Sequence, residues 1–549
     1  MTSTDLLHVE NLTVSFGSRR RGLEPAPVVD GVSLTITPGE CLALVGESGS
    51  GKSVTARTLI GLAGSGSRVS ADRLEFAGRS LTSLNGGQWR RVRGQQIGFV
   101  LQDALVSLDP LRTVGREIED ALRLHTTLGA TERRKRVLQL LDDVGIPDPE
   151  LRAGQRADEL SGGMRQRALI AAAIALEPRL IIADEPTTAL DVSIQSQILA
   201  MLGTLASRGA AVLIISHDLS VVARIADRVA VMRAGRIVEA GTRSEVLDRP
   251  QHEYTRALIR AIPGAHPRGQ RLVTGARPPT QARTGDEPAA SAVQPAVLQL
   301  AHVTKRFATA SRGSFTAVDD VSLTVHAGRT LGLVGESGSG KTTTARIALG
   351  LTTPDAGHVR LLGSPWAPLS ETARRGRRSI MGAIYQDPFS SFDPRWSVGR
   401  LLADAVSGGR TSRQRTHTDR IAALLESVGL DASLMNRHTR SLSGGQRQRV
   451  AIARAIAPEP RVIVCDEPVS SLDVSVQAQV LDLLDELQER LSLAYLFISH
   501  DLGVIRHVSD TVAVMRAGRL LETGDTEQVF DAPQHPYTRA LLSSADSLP

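Results

Sequence analysis

Short, continuously apolar runs alternate along this chain with stretches whose apolar positions recur every three to four residues. The runs CLALVG (41–46), RLIIAD (179–184) and AVLIIS (211–216) do not alternate with polar residues. A strand that is apolar on both faces belongs inside a parallel sheet covered by helices. The pattern therefore predicts an α/β fold with a mixed, largely parallel core sheet. A helical insert interrupts it. Val137, Leu140, Leu141 and Val144 stand at i, i+3, i+4 and i+7, and Ile421, Leu424, Leu425 and Val428 repeat that stripe.

The pattern occurs twice. DELSGGMRQRALIAAAIALEPRLIIADEPTTALDVSIQSQIL returns as RSLSGGQRQRVAIARAIAPEPRVIVCDEPVSSLDVSVQAQVL, and VLIISHDLSVVARIADRVAVMRAGRIVEAG returns as YLFISHDLGVIRHVSDTVAVMRAGRLLETG. The period far exceeds that of solenoid repeats, so a whole domain is duplicated. Residues 264–296 are rich in Pro, Gly, Ala, Arg and Thr without apolar periodicity and read as a flexible linker. The predicted domains are 5–263 and 297–549.

Composition narrows the function. A chain of 549 residues is too long for one core. No apolar run approaches the roughly 20 residues that cross a bilayer, so a membrane role would come through a partner. The opening MTSTDLLHVENLTV does not read as a signal peptide, and a cytoplasmic location is expected. The two cysteines, Cys41 and Cys465, lie in separate halves within apolar runs and read as buried core residues. The net charge of +6 is modest and the Arg residues are mixed among acids, so no nucleic-acid partner is expected. Only four basic residues are Lys: Lys52, Lys135, Lys305 and Lys341.

Two of those four end Gly-rich loops. GESGSGKS (46–53) lies between the apolar run CLALV and the helical pattern KSVTARTLIGL, and GESGSGKT (335–342) between TLGLV and KTTTARIALGL. A strand, Gly-rich turn and helix in this order form a phosphate cradle. Gly46, Ser48, Gly49, Ser50, Gly51 and Lys52 are the candidate binding residues of the first cradle, with Gly335, Ser337, Gly338, Ser339, Gly340 and Lys341 in the second. Backbone N–H groups would wrap the β-phosphate of a nucleotide, the Lys would neutralise the β/γ oxygens, and Ser53 or Thr342 would ligate Mg²⁺. LIIADEP and VIVCDEP end apolar runs in paired acids. Asp184 and Asp466 would hold Mg²⁺, and Glu185 and Glu467 would polarise the attacking water. His217 and His500 follow later strands as candidate γ-phosphate sensors.

On these residues each half resembles an ATP-binding cassette, the motor domain of ABC transporters, and the resemblance covers nearly the whole chain outside the linker. LSGGM and LSGGQ are similar to the family's signature sequence, in which Ser161, Gly162 and Gly163, or Ser443, Gly444 and Gly445, form an anion-binding helix N-terminus. The resemblance implies two P-loop NTPase domains, each with a helical subdomain, in an intramolecular head-to-tail dimer. One site would combine Lys52, Glu185 and His217 with Ser443 and Gly445, the other Lys341, Glu467 and His500 with Ser161 and Gly163. It also implies that Gln102 and Gln386 reach toward Mg²⁺ and the water and act in catalysis, and that Phe16 and Phe307 stack on adenine.

The text after those glutamines, LQDALVSLDPLRTVGREI and YQDPFSSFDPRWSVGRLL, resembles the dipeptide/oligopeptide importer branch, as do the tails QHEYTRALIRAIP and QHPYTRALLSSAD. The first tail departs from that branch with Glu253 in place of Pro. A cysteine cluster that some members carry after the tail has no counterpart here, so no iron–sulfur site is expected. The resemblance implies an ATP-hydrolysing motor on the cytoplasmic face of the membrane, partnered by two integral-membrane permease subunits and an extracytoplasmic solute-binding protein. Peptides are the expected cargo, with nickel, glutathione or another small solute as alternatives. A twin-cassette ATPase acting on ribosomes is the runner-up, disfavoured by the Pro/Gly-rich connector and the tails.

Lysine at both cradles in an Arg-rich chain marks positions that require a compact ammonium. Lys52→Arg and Lys341→Arg should each sharply weaken ATP turnover, because a planar guanidinium is too wide for a pocket of backbone groups. Near-normal hydrolysis by either purified variant would sink this reading.

Overall fold

The continuous apolar runs are the central strands of two six-stranded sheets. The structure, a computed structural model, describes residues 5–17, 26–102, 107–187, 190, 192–266, 268–275, 295–308, 314–388 and 391–543. These fall into two units, with the boundary between Ile259 and Arg260.

In the first unit β1 (Leu7–Phe16) and β2 (Pro27–Ile36) pair antiparallel and lead into β3 (Cys41–Val45), all of whose residues are buried. Strands β4 (Ser67–Ser70), β5 (Arg73–Phe76) and β6 (Arg79–Ser80) complete the antiparallel sheet begun by β1 and β2. Then β7 (Ile97–Val100), β8 (Leu180–Asp184), β9 (Ala211–Ser216), β10 (Arg228–Arg233) and β11 (Arg236–Thr242) join β3 in the order β11-β10-β3-β9-β8-β7. All these pairs are parallel except β10 with β11.

The second unit repeats the plan. Its antiparallel sheet comprises β12 (Ala296–Ala308) and β13 (Ser314–His326), which precede the core strand β14 (Thr330–Val334), with β15 (Ala356–Leu361) and β16 (Ser364–Ala367). The other core strands are β17 (Met381–Ile384), β18 (Val462–Asp466), β19 (Ala494–Ile498), β20 (Thr511–Arg516) and β21 (Arg519–Asp525). They run in the order β21-β20-β14-β19-β18-β17, again with only β21 antiparallel. Each buried Val, Leu or Ile of these strands contributes about 1.5–3 kcal/mol of transfer free energy.

The helical inserts match the periodicity. Val137, Leu140 and Leu141 are buried on the helix Ala130–Asp143, and Ile421, Leu424 and Leu425 on Thr418–Ser427. The fourth stripe residues, Val144 and Val428, are also buried but are C-caps rather than helical. Each helix stops there because a glycine follows. Gly145 takes φ +71° and its N–H reaches the Asp142 carbonyl at 2.7 Å, while the Ile146 N–H reaches Leu141 at 2.9 Å. This left-handed closure satisfies carbonyls that the helix end leaves open. Both cysteines are buried in strands, and burial pushes the Cys41 thiol up to about 12.

The stretch read as linker from residue 264 contains ordered chain. Pro263–Ala265 forms a 3-10 turn, Leu272 is fully buried, and residues 260–275 group with the second unit. The reason is side-chain anchoring rather than periodicity: Arg268 pairs with Asp510 at 2.5 Å, and the Leu272 N–H reaches Asp482 at 2.9 Å. Residues 276–294 lie outside the described residues.

Candidate active site

Each Gly-rich loop leaves the carboxyl end of a buried parallel strand, β3 or β14, and enters a helix that begins at its lysine. Gly46 shows why the loop is so tight. It takes φ +148°, and a Cβ there would lie 2.1 Å from the Met232 carbonyl oxygen. Only glycine allows that approach. The Lys52 ammonium lies inside the turn, hydrogen-bonding the carbonyls of Gly46 and Glu47, both at 2.7 Å. Lys341 does the same with Gly335 at 2.7 Å and Glu336 at 2.8 Å. Both lysines are buried, so each charge is carried on carbonyl dipoles at the centre of its loop.

The paired acids stand at the ends of β8 and β18. Ser53, which follows Lys52, donates to Asp184 Oδ1 at 2.9 Å, and Thr342 donates to Asp466 Oδ1 at 3.3 Å. Asp184 is fully buried, and its Oδ2 has no hydrogen-bond partner among the described residues. Burial raises the Asp184 carboxyl above its usual range, the Glu185 charge adds to this, and the Ser53 bond opposes it. Asp466 is raised for the same two reasons.

Glu185 and Glu467 are held from two sides. Gln102 donates to Glu185 Oε2 at 2.8 Å while His217 Nδ1 stands 3.1 Å from Oε1. Gln386 and His500 hold Glu467 at 2.9 and 3.1 Å. Burial pulls both imidazoles down, but the hydrogen bond and charge of the facing glutamate more than offset it and raise them. Glu467 is correspondingly lowered: burial lifts it, and the His500 bond and charge outweigh that lift. Both glutamates also adopt left-handed backbone, with φ +50° and +51°. Non-glycine residues in that region carry about 1–3 kcal/mol of strain each and persist where the surroundings over-determine them.

The signature residues form helix N-termini. Ser161 caps Gly162–Ile174 by accepting the Met164 N–H at 3.4 Å, and Ser443 caps Gly444–Ile456 by accepting that of Gln446 at 3.3 Å. Both serines and the glycines after them, Gly162 and Gly444, are exposed, whereas Gly163 is buried against Ile194. The two phenylalanines differ. Phe307 is exposed on β12 with the Lys305 ammonium 5.6 Å from its ring centre, whereas Phe16 is half-buried and packs partly on the core.

One connection was not legible in the motifs. The Tyr254 hydroxyl accepts the backbone N–H of Glu47, inside the first cradle, at 3.1 Å, and Tyr537 accepts that of Glu336 at 3.4 Å. The tails therefore touch the phosphate loops. Arg233 covers the Tyr254 ring at 4.8 Å and Arg516 the Tyr537 ring at 4.6 Å. Glu239 orients the first tail by accepting the N–H groups of Gln251 at 2.6 Å and His252 at 3.1 Å, and Glu522 repeats this with Gln534 and His535. The available signal was the recurrence of VEAG and LETG shortly before each QH-x-Y.

The donor sets suit a hard cation completed by phosphate oxygens. Among the described residues no three His, Cys, Asp or Glu side chains converge to hold a metal unaided. Mg²⁺ needs only one or two protein oxygens beside substrate phosphates and water. Asp184 and Ser53, or Asp466 and Thr342, offer such oxygens beside the cradle, and Asp184 Oδ2 is an unpaired buried acceptor of the kind a cation would satisfy.

Comparison with known proteins shows the family. Residues 29–188 and 318–470 match the family described as ABC transporter, and 238–286 and 521–548 match the oligopeptide/dipeptide transporter C-terminal region. The chain is 42% identical to the peptidoglycan transport ATP-binding protein YejF of Agrobacterium fabrum, covering 98% of this chain and 96% of that one. It is 40% identical to the oligopeptide transport ATP-binding protein OppD of Mycobacterium tuberculosis, over 98% of each chain. It is also 40% identical to the glutathione import ATP-binding protein GsiA of Escherichia coli, over 98% of this chain and 89% of that one. Among solved structures, the complex of archaeal ribosomal stalk protein aP1 with ribosome recycling factor aABCE1 has a chain with TM-score 0.60 at 20% identity. It covers 94% of this chain and 90% of that one, a likeness of fold alone. With two cassettes and two such C-terminal regions, the chain belongs to the ATP-binding proteins of the ABC transporter family and is an ATPase.

Proposed function

We propose that this ATPase powers import of short peptides or peptide-containing solutes through membrane permeases that it does not itself supply. The reading is carried by the doubled oligopeptide/dipeptide C-terminal region, each copy of which ties a tyrosine to a phosphate loop. Peptidoglycan, oligopeptide and glutathione, the solutes in the three relatives' names, all contain peptide linkages. No described helix is long and apolar enough to cross a membrane. The proposed partners are two permease subunits and an extracytoplasmic solute-binding protein, with the chain on the cytoplasmic face. As the family resemblance implies, Ser443 and Ser161 would each complete the cradle of the other cassette.

In the proposed reaction the cradle amides and Lys52 or Lys341 hold the β- and γ-phosphates of ATP. Ser53 with Asp184, or Thr342 with Asp466, would hold Mg²⁺, which would neutralise charge developing on the phosphate oxygens. The carbonyl oxygen of Gln102 or Gln386 is the atom of that side chain able to approach the cation, since its NH₂ group faces the glutamate. Glu185 and Glu467 polarise the attacking water, oriented by Gln and His on either side. His217 and His500, which hold the carboxylates, would also sense the γ-phosphate.

Glu185→Gln and Glu467→Gln should keep ATP binding and slow hydrolysis by orders of magnitude, because the lysine and cation hold the nucleotide while the carboxylate acts on water. Filter retention of labelled ATP checks binding, and loss of it would make these acids structural. Tyr254→Phe and Tyr537→Phe remove one hydroxyl that accepts a loop N–H. A neutral hydrogen bond of about 1 kcal/mol bounds the effect at a roughly fivefold rise in KM for ATP at unchanged kcat, with Tm lowered by no more than about 2–4 °C; an unchanged KM would deny the tails a role at the loop. For the function itself, the chain co-purified with its permeases should hydrolyse ATP faster when a peptide-loaded solute-binding protein is added. Stimulation by nickel alone would move the substrate class, and sedimentation with ribosomes but not membranes would favour the runner-up.

A further inference from the structure

The stretch after the first tail, although poor in apolar periodicity, is built into the second unit. Ala261 and Leu272 join the apolar core formed by the helices Val474–Leu491 and Leu502–Val508. The Asp482 carboxylate accepts two successive backbone N–H groups, Leu272 at 2.9 Å and Val273 at 3.1 Å. Arg271 donates to the Asp482 carbonyl and stands 3.6 Å from Asp485 and 3.9 Å from Glu489. Arg268 pairs with Asp510 at 2.5 Å and reaches Gln488 at 3.4 Å. Gly264 abuts Gly503 so closely that a Cβ on Gly503 would lie 3.1 Å from the Gly264 nitrogen.

The first cassette lacks this receiving face. Aligning DVSIQSQIL with DVSVQAQVL puts Ala200 opposite Asp482, Gly203 opposite Asp485, Ala206 opposite Gln488 and Ser207 opposite Glu489. Aligning SHDLS with SHDLG puts Ser220 opposite Gly503. Three acids, an amide and a glycine that accommodate the segment thus occur only in the half that receives it, whereas Asp510, the partner of Arg268, has a counterpart in Asp227. General surface polarity does not predict that coincidence, because the same helix of the first cassette bears none of these groups.

We propose that residues 261–266 and 268–273 are an intramolecular clasp, and that the acidic face of Val474–Leu491 is its dedicated receptor, fastening the end of the first cassette to the second whether or not nucleotide is bound. The tail helix Glu253–Arg260 runs directly into the clasp, so the fastening acts where the first cassette ends. The connection through 276–294 is then dispensable for keeping the two cassettes together.

The test uses the full chain with a site-specific protease sequence inserted between residues 276 and 294. After cleavage, size-exclusion chromatography is run without nucleotide and with EDTA, so that ATP-driven closure does not contribute. The cleaved parent should elute as one species holding both fragments. Arg268→Glu/Arg271→Glu and, independently, Asp482→Ala should release them, while the uncut variants retain the parent Tm and basal ATP hydrolysis. Separation of the cleaved parent would overturn the clasp, as would co-elution of both cleaved variants. Should either variant lose its fold, the other decides the outcome, and Leu272→Asp, which alters only the segment's buried anchor, serves as a third.

Discussion

Four parallel strands that end on one edge determine everything the site can do. In the first unit β7, β8, β9 and β3 lie side by side and run the same way, so the residues that follow them converge. Gln102 comes after β7, Asp184 and Glu185 at the end of β8, His217 after β9, and the phosphate loop after β3. An antiparallel partner at any of these positions would have sent its side chain to the opposite edge. Burial on both faces fixes this order, because strands such as LIIAD and AVLII have no polar face to offer water. The same apolar continuity that makes the sheet stable thus makes the site possible.

That edge carries concentrated charge and strain, and each element is compensated locally. A buried ammonium sits on loop carbonyls, a buried carboxylate on a hydroxyl, and a strained glutamate between an amide and an imidazole. Glu185 is also tied through its backbone N–H to the Ile215 carbonyl at 2.9 Å, and Glu467 to Ile498 at 3.0 Å. These bonds over-determine a backbone conformation that costs about 1–3 kcal/mol. The rigid neighbouring strand therefore positions the carboxylate. The glutamine and histidine, on segments that leave the sheet, hold only its oxygens.

How much of this was legible depended on whether a residue's role is local. The cradles, the acids, the histidines and the helical stripes could be read because each is set by a few neighbours in sequence. Tyr254 and Glu47 are far apart in the chain, and nothing in QHEYTRAL states that its hydroxyl meets a loop amide. The stretch from residue 264 reads as linker for a related reason. Its order comes from one leucine, two arginines and backbone N–H groups matched to Asp482, a pattern with no period. Composition rich in Pro and Gly describes what a segment cannot do alone, not what a receptor can do to it.

A duplicated chain supplies its own internal comparison, and its agreements and differences carry different information. Where both halves keep the same long-range contact, as with the tyrosines on the phosphate loops and the glutamates that orient the tails, the contact serves something done in both cassettes. Where a contact is present in one half and its partners are replaced in the other by Ala200, Gly203, Ser207 and Ser220, it serves something done once per chain. ATP handling is of the first kind, since each phosphate loop needs its own lysine, hydroxyl and acids. Fastening one cassette to the other is of the second kind, because a single covalent chain has only one point where the first cassette ends and the second must receive it.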